Sequence, residues 1–467
     1  MKHLRRVTTL AAAVAATSLV LAACGSGDGG DGDGDGGDGA ADGRVTITVS
    51  GLPDNSKPEE RAAFEADLDA FRAANPDIDI TAVETLWDPQ TFSAQLAGGT
   101  LPTVIDLPPS EMNSLIANGQ VKDLTDVVEA STTLRDVPDA MMEFGLGPDG
   151  RYYGVPTYAY SMGLMINRDL FERAGLDPDE PLATWDDVRA AAKAITDATG
   201  EVGYATPATE GYAGWILDSA LPGFGGEMMT QVDGEWVLDL TAQPIQDLLQ
   251  LLHDMRWEDG SMGVNSLITD GDINNMLAAG QLGMAVRGGD AYQNMTLVSG
   301  MPKEDYGMFP MPQTADGLGT GGGGRVAIVR PDATDAQAEA VVKWLEFHNF
   351  APYMSEENAV AWATARDAEG LPVPEVGLPR VTGEVMASFM GWIDPYVNVP
   401  MPQIQTYLDS ADTLTIHGGP PYAAGEIYES FAPVIQAVLG REDADIPALL
   451  QTAQDTSMPA VEAALPD

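Results

Sequence analysis

The sequence predicts an α/β protein built as two lobes, each a mostly parallel sheet flanked by helices. Three observations predict it. Short stretches of alternating apolar residues are each followed by longer stretches with helical spacing. That rhythm begins at Val45 and returns after Arg325. Gly and Pro cluster at 317–324 and 370–379, where the chain can cross between bodies.

The elements follow in order. In RVTITVS, residues 44–50, Val45, Ile47 and Val49 share one face and form a strand. Pro58 suits a first helical position, with Glu59 and Glu60 in the first turn. Phe64, Leu68 and Phe71 then recur at i, i+4 and i+7, an apolar stripe to lie on a sheet. Asn75-Pro76 stops that helix, and IDITAVE from Ile78 is a second strand. A helix at 90–98, a strand in TVIDL from Thr103 and a helix over 110–118 continue the series. Strand, helix, strand at this spacing builds parallel βαβ units. Further helices are expected at 184–198, 241–256 and 270–280, a strand at 325–330 and a helix at 335–349. The chain from about 380 reads as mainly helical. The expected division is 44–158 with 320–375 as one lobe, and 159–319 with 376–467 as the other.

The first 43 residues have another character. Lys2, Arg5 and Arg6 precede an apolar run from Val7 to Leu21, then Ala22 and Ala23. That is the pattern of a secretory signal, too short to span a bilayer, over residues 1–23. The ending Leu21-Ala22-Ala23-Cys24 resembles a bacterial lipobox, which implies a lipid on Cys24 and attachment to the extracytoplasmic face of the cell membrane. Cys24 is the only cysteine, so no disulfide forms within the chain. Residues 24–43, almost wholly Gly and Asp after the cysteine, cannot bury apolar area and read as a tether. Asp31, Asp33, Asp35, Gly36 and Asp42 also fit the spacing of a calcium loop. The last position is Asp instead of Glu and no helix precedes it, so the repeat itself is the simpler source of the match.

A formal charge of −48 argues against nucleic acid, whose phosphates demand Lys and Arg, and against electrostatic adhesion to anionic lipid. There is no HExxH, GxSxG or Walker A sequence, and no cofactor or metal is expected. Gly319, Gly321 and Gly324 satisfy GxGxxG, but the run precedes a strand instead of opening a helix, so a dinucleotide is not expected. A loop at the hinge or cleft with close backbone approach is the reading preferred.

Six segments, in order, carry a resemblance. They are FEADLDAFRAANPDIDITAVE, LPTVIDLPPSEMNSLIANGQVKDLTDVV and YYGVPTYAYSMGLMINRDLFERAGLDPDEPLATWDDVRAAAKAIT, then TEGYAGWILDSALPGFGG, NMLAAGQLGMAVRGG and FPMPQTADGLGTGGGGRVAIVR. Together they resemble the extracellular solute-binding proteins of ABC importers, the maltose-binding-like class. That resemblance implies the periplasmic-binding-protein-like fold, its lobes joined by a hinge of crossover strands, and a monomer that captures a sugar of oligosaccharide size for an ABC permease. It implies no catalysis.

Sugar sites combine aromatic platforms with polar side chains that bind hydroxyls. Ligands of such folds lie beyond the carboxyl ends of parallel strands. Asp106, Ser110 and Glu111 follow the TVIDL strand; Ser110 stands where relatives hold a sugar-bonding Asp, and also suits an N-cap. Tyr158 and Tyr160 share a face of the crossover strand, and Tyr160 falls at a cleft position of the family. Trp215 falls at its stacking aromatic, and Trp87 follows the second strand, where it either caps the pocket or packs. Arg287, Gly288 and Asp290 end the Ala-Met strand, with Asp290 where relatives often carry an aromatic. Trp392 and Tyr422 lie where the family supplies further aromatics, with burial an equal alternative. Two rival readings stay open: the same fold holding a polyamine, a peptide or glycerol phosphate, and a secreted glycoside hydrolase with paired carboxylates.

Overall fold

The computed structural model describes residues 43–465 other than Asp412. The signal segment, Cys24 and the tether with its calcium-like spacing lie outside the described residues.

Eleven strands are found among the described residues: β1 (Val45–Val49), β2 (Ile78–Ala82), β3 (Val104–Leu107), β4 (Gly154–Asn167), β5 (Val202–Tyr204), β6 (Met229–Val232), β7 (Glu235–Leu238), β8 (Leu282–Gly288), β9 (Tyr306–Pro310), β10 (Gly319–Val329) and β11 (Thr415–His417). Nine form one mixed sheet in the order β2-β1-β3-β10-β4-β8-β5, with β11 on β10 and β9 on β4. Pairing is parallel at the two ends, β1 with β2 and β3, and β5 with β8. It is antiparallel in the middle, where β4 and β10 run past each other. β6 and β7 make a separate hairpin. Its turn is Asp233-Gly234, both at positive φ, as a two-residue turn that matches strand twist requires.

The helices form where local chemistry starts and stops them. Pro58 opens the helix Pro58–Ala74, and its apolar stripe buries Leu68 and Phe71 against the sheet. Thr184, Thr269 and Thr334 each cap a helix through a reciprocal box with Asp187, Asp272 and Gln337. Gly200, at φ 77°, ends the helix Trp185–Thr199 in the left-handed region that favours glycine.

Buried apolar residues divide along the chain. One core runs from Met162 to Met311, takes in Val376, and resumes at Val399 as far as Val461. Two adjoining clusters hold Ile47–Ala159 with Val326–Ile393. β4 belongs to both: Val155 and Ala159 sit in the first body, Met162, Leu164, Met165 and Ile166 in the second. The helix Gly383–Ile393 packs with the N-terminal segments through Phe389 and Ile393.

The glycine run 319–324 is strand, not the loop expected. It forms the first half of β10, pairing with β11 on one side and β4 on the other. A Cβ on Gly321 would lie 2.5 Å from the Ser219 Cα, one on Gly322 2.4 Å from the Ile416 side chain, and one on Gly324 2.2 Å from the Tyr158 carbonyl. Neighbouring chain comes so close here that side chains are excluded, which is why residues of low strand propensity form one.

Candidate functional site

β4 and β10 cross between the two cores at Tyr158–Ser161 and Gly322–Arg325, with Gly323 opposite Tyr160 and Arg325 opposite Tyr158. Tyr158 and Tyr160 share a face, their ring centroids 5.9 Å apart. Tyr160 lies in a slot between two glycine backbones. A Cβ on Gly323 would meet its hydroxyl at 2.6 Å, and one on Gly288 would meet its ring at 3.1 Å. Gly323→Ala is therefore expected to displace the Tyr160 ring and weaken ligand binding about tenfold with little change in melting temperature. Paired calorimetric titration and thermal melts check this; equal affinity in the variant rules out the slot as a positioning device.

Gly289 N–H donates to the Ser161 carbonyl at 3.1 Å, tying the end of β8 to the crossing. Asp290 follows, its carboxylate near the Tyr158 hydroxyl. Burial pushes the Asp290 carboxyl up, opposed by the Tyr158 hydroxyl, and pushes both phenols far up, with Asp290 adding to each. Tyr158 and Asp290 border a cavity of about 570 Å3 also lined by Gln293, Asn294, Glu375 and Arg380. Glu375 pairs with Arg366 at 2.8 Å and Arg380 at 2.9 Å, so its charge is offset.

From the N-terminal side, Asp106 on β3 accepts from the Thr157 hydroxyl at 3.3 Å, and burial raises its carboxyl. Ser110 sits inside the short 3-10 turn Pro109–Glu111 and makes no capping bond, so the N-cap alternative fails. The Glu111 carboxyl is raised by burial and then by Glu426, which belongs to the helix Ala424–Gly440. An acidic group of the first body thus faces one of the second.

That helix packs on the helix Glu210–Ala220, and only glycine permits the contact: a Cβ on Gly214 would lie 2.3 Å from the Tyr428 carbonyl. Glu210 and Ala423, non-glycine residues at φ 57° and 52°, stand at the start of the two helices, and such strain collects at functional sites. Tyr428 donates to Asp218 at 2.9 Å, and His417 pairs with Glu227 at 2.8 Å. Asp218, Glu227 and His417 border a second, polar cavity of about 270 Å3, with Asn113 from the other side.

Burial pushes the Asp218 carboxyl up to about 7, from 3.8. Between those values the folded state holds a proton that the unfolded chain has lost, so this group makes stability fall as pH rises. Asp218→Asn is expected to raise the melting temperature at about pH 8, with the advantage shrinking as pH falls towards about 4. Melts across that range check it; an advantage independent of pH contradicts it.

Other expected site residues are placed differently. Arg287 is 5% exposed; its guanidinium pairs with Asp270 at 3.1 Å and donates to Asn274 at 3.1 Å, both on the helix Asp270–Ala278. Gly288 is buried against Tyr160. Trp215 is half-buried and meets Tyr212 edge-on, 5.0 Å between centroids. Tyr212 is the outer partner at 45% exposure, with Asp270, Arg287 and Asp290 all bearing on its phenol. The spacing of Tyr212 and Trp215 puts both on one helix face. Trp87 packs on Phe92 at 4.7 Å, and Trp392 rests half-buried on the first core. Tyr422 is buried against Trp236 in the second core. Among the described residues no cluster of His, Cys, Asp and Glu could hold a metal, and no helix is long and apolar enough to cross a membrane.

Aromatic faces, carboxylates and amides around cavities between two cores suit a solute rich in hydroxyls. A solved structure, the cyclic α-maltosyl-1,6-maltose binding protein from Arthrobacter globiformis, is similar over 91% of this chain and 100% of its own, with a TM-score of 0.68 and 26% identity. A binding protein of Brucella abortus (strain 2308) is 25% identical over 275 residues, 58% of this chain and 63% of its own length, so the match spans under two thirds of that relative. The sn-glycerol-3-phosphate-binding periplasmic protein of Escherichia coli (strain K12) is 28% identical over 153 residues, 31% of this chain and 34% of its own. Residues 55–348 match the family described as bacterial extracellular solute-binding protein, and the chain belongs to that family.

Proposed function

We propose that this protein holds a sugar of oligosaccharide size between two closing lobes and delivers it to an ABC permease without altering its bonds. The observation that carries the reading is the constellation of Tyr158, Tyr160 and Asp290 at the place where two strands cross between separate cores. The cavity there lies within the roughly 300–1,000 Å3 of small-molecule sites. The similarity to the cyclic α-maltosyl-1,6-maltose binding protein supports a carbohydrate. Lobe closure would give the sugar contacts with both bodies only in the closed form, and that difference drives the equilibrium. We take the lobes as 44–158 with 320 to about 398, and 159–319 with the remainder. The packing of the helix Gly383–Ile393 supports moving the last crossing from 375 to between Val397 and Val399. Cys24 is the proposed lipid anchor, checked by membrane partitioning that Cys24→Ser abolishes.

Thermal-shift screening over sugars, polyamines and glycerol phosphate tests the ligand class, because a ligand of the folded state raises the melting temperature by mass action. One or a few oligosaccharides are expected to shift it. Glycerol phosphate, favoured by the Escherichia coli similarity, is expected to fail, since Glu375 engages Arg366 and Arg380 and Asp270 engages Arg287. A shift with glycerol phosphate or a polyamine alone would replace the sugar reading.

A further inference from the structure

A cavity of about 310 Å3 adjoins the polar one and shares Tyr158, Glu375, Val376 and Arg380 with it. Its wall differs in chemistry. Met386, Phe389 and Met390 come from the helix Gly383–Ile393, and Met401, Ile404 and Leu408 from the segment after the last crossing. The hollow is partly open to solvent, so the thioether, phenyl and aliphatic groups around it leave apolar surface that an apolar guest would cover. A further sugar unit is a poor occupant, because its hydroxyls would leave water for a wall that is mostly apolar. Methionine side chains are unbranched and reshape around apolar guests.

We propose that this methionine-lined cavity receives an apolar substituent of the bound sugar, an alkyl or aryl group whose carbohydrate head lies in the adjoining site. The proposal rests on the sugar reading and adds to it: the ligand is an amphipathic glycoside. The four shared residues are its route. A substituent leaving the head beside Tyr158 enters the second cavity past Val376, with the Glu375–Arg380 ion pair at the boundary.

The test is calorimetric titration of the full chain with two matched pairs, glucose against octyl glucoside and maltose against octyl maltoside, all below micelle-forming concentrations. The octylated member of a pair is expected to bind at least about tenfold more tightly, since each buried methylene adds to affinity. In Met390→Gln and Met401→Gln, two half-buried positions where folding is expected to survive, the ratio of the two affinities falls towards one. Equal binding of both members in the native chain overturns the proposal and leaves the sugar reading intact. A raised ratio that neither variant reduces also overturns it. If no member of either pair binds, the carbohydrate head is wrong and the proposal falls with it.

Discussion

Tyr160→Ala is expected to weaken binding of the sugar found by screening by about 2–3 kcal/mol, roughly 30- to 150-fold. The ring stands at the crossing of β4 and β10, held between Gly288 and Gly323, with Tyr158, Tyr212, Asp290 and Arg325 about it. An aromatic fixed this way offers a flat apolar face to the CH groups of a sugar and loses little freedom on binding. Truncation removes that face and opens space that water fills. Tyr160 is half-buried and its hydroxyl lies over glycine, so the fold survives its loss. Tyr160→Phe keeps the face and is expected to cost less than tenfold. Isothermal titration of both variants checks the pair. An alanine variant within threefold of the native affinity would show that the ligand does not use this ring.

The largest effect on stability is expected at Trp344, 3% exposed. Its ring meets Phe71 edge-on at 5.3 Å, Phe64 at 5.8 Å and Phe347 at 6.4 Å, and stacks on His348 at 4.8 Å. These contacts fasten the helix Asp335–Leu345 and the turn after it to the helix Pro58–Ala74, joining segments far apart in sequence. His348 continues the seam by pairing with Asp67 at 2.9 Å. Trp344→Ala leaves a cavity and should cost about 3–5 kcal/mol, a large share of the roughly 5–15 kcal/mol that hold such domains folded. Urea unfolding gives the comparison; a loss under about 1 kcal/mol would mean that the seam collapses around the hole.

Much of this architecture was legible because local and long-range demands agree. β1, β2 and the helix between them follow the apolar spacing of Val45–Val49, Phe64–Phe71 and Ile78–Ile80. Helix starts at Thr184, Thr269 and Thr334 are chemically marked. Where distant chain decides the outcome, local reading fails. The glycines of β10 look like loop because nothing nearby reveals that Ser219, Ile416 and Tyr158 crowd them. β11 has three residues and exists only as a partner of β10. At the site, strand alternation puts Tyr158 and Tyr160 on one face, whereas the approach of Asp290 to them depends on the pairing of β4 with β8. Arg287 was assigned to solute because its partner Asp270 lies a helix away in sequence. For Tyr422 the alternative of burial is the one found, against Trp236, which lies far upstream.

The most direct measurement is small-angle scattering of the exported body, with and without the sugar that gives the strongest thermal shift. A folded chain of this length has a radius of gyration of about 22 Å. Saturating sugar should reduce it measurably, and Tyr160→Ala should need far more sugar for the same change. Superimposable profiles at saturation, with binding confirmed by calorimetry, would contradict capture by lobe closure.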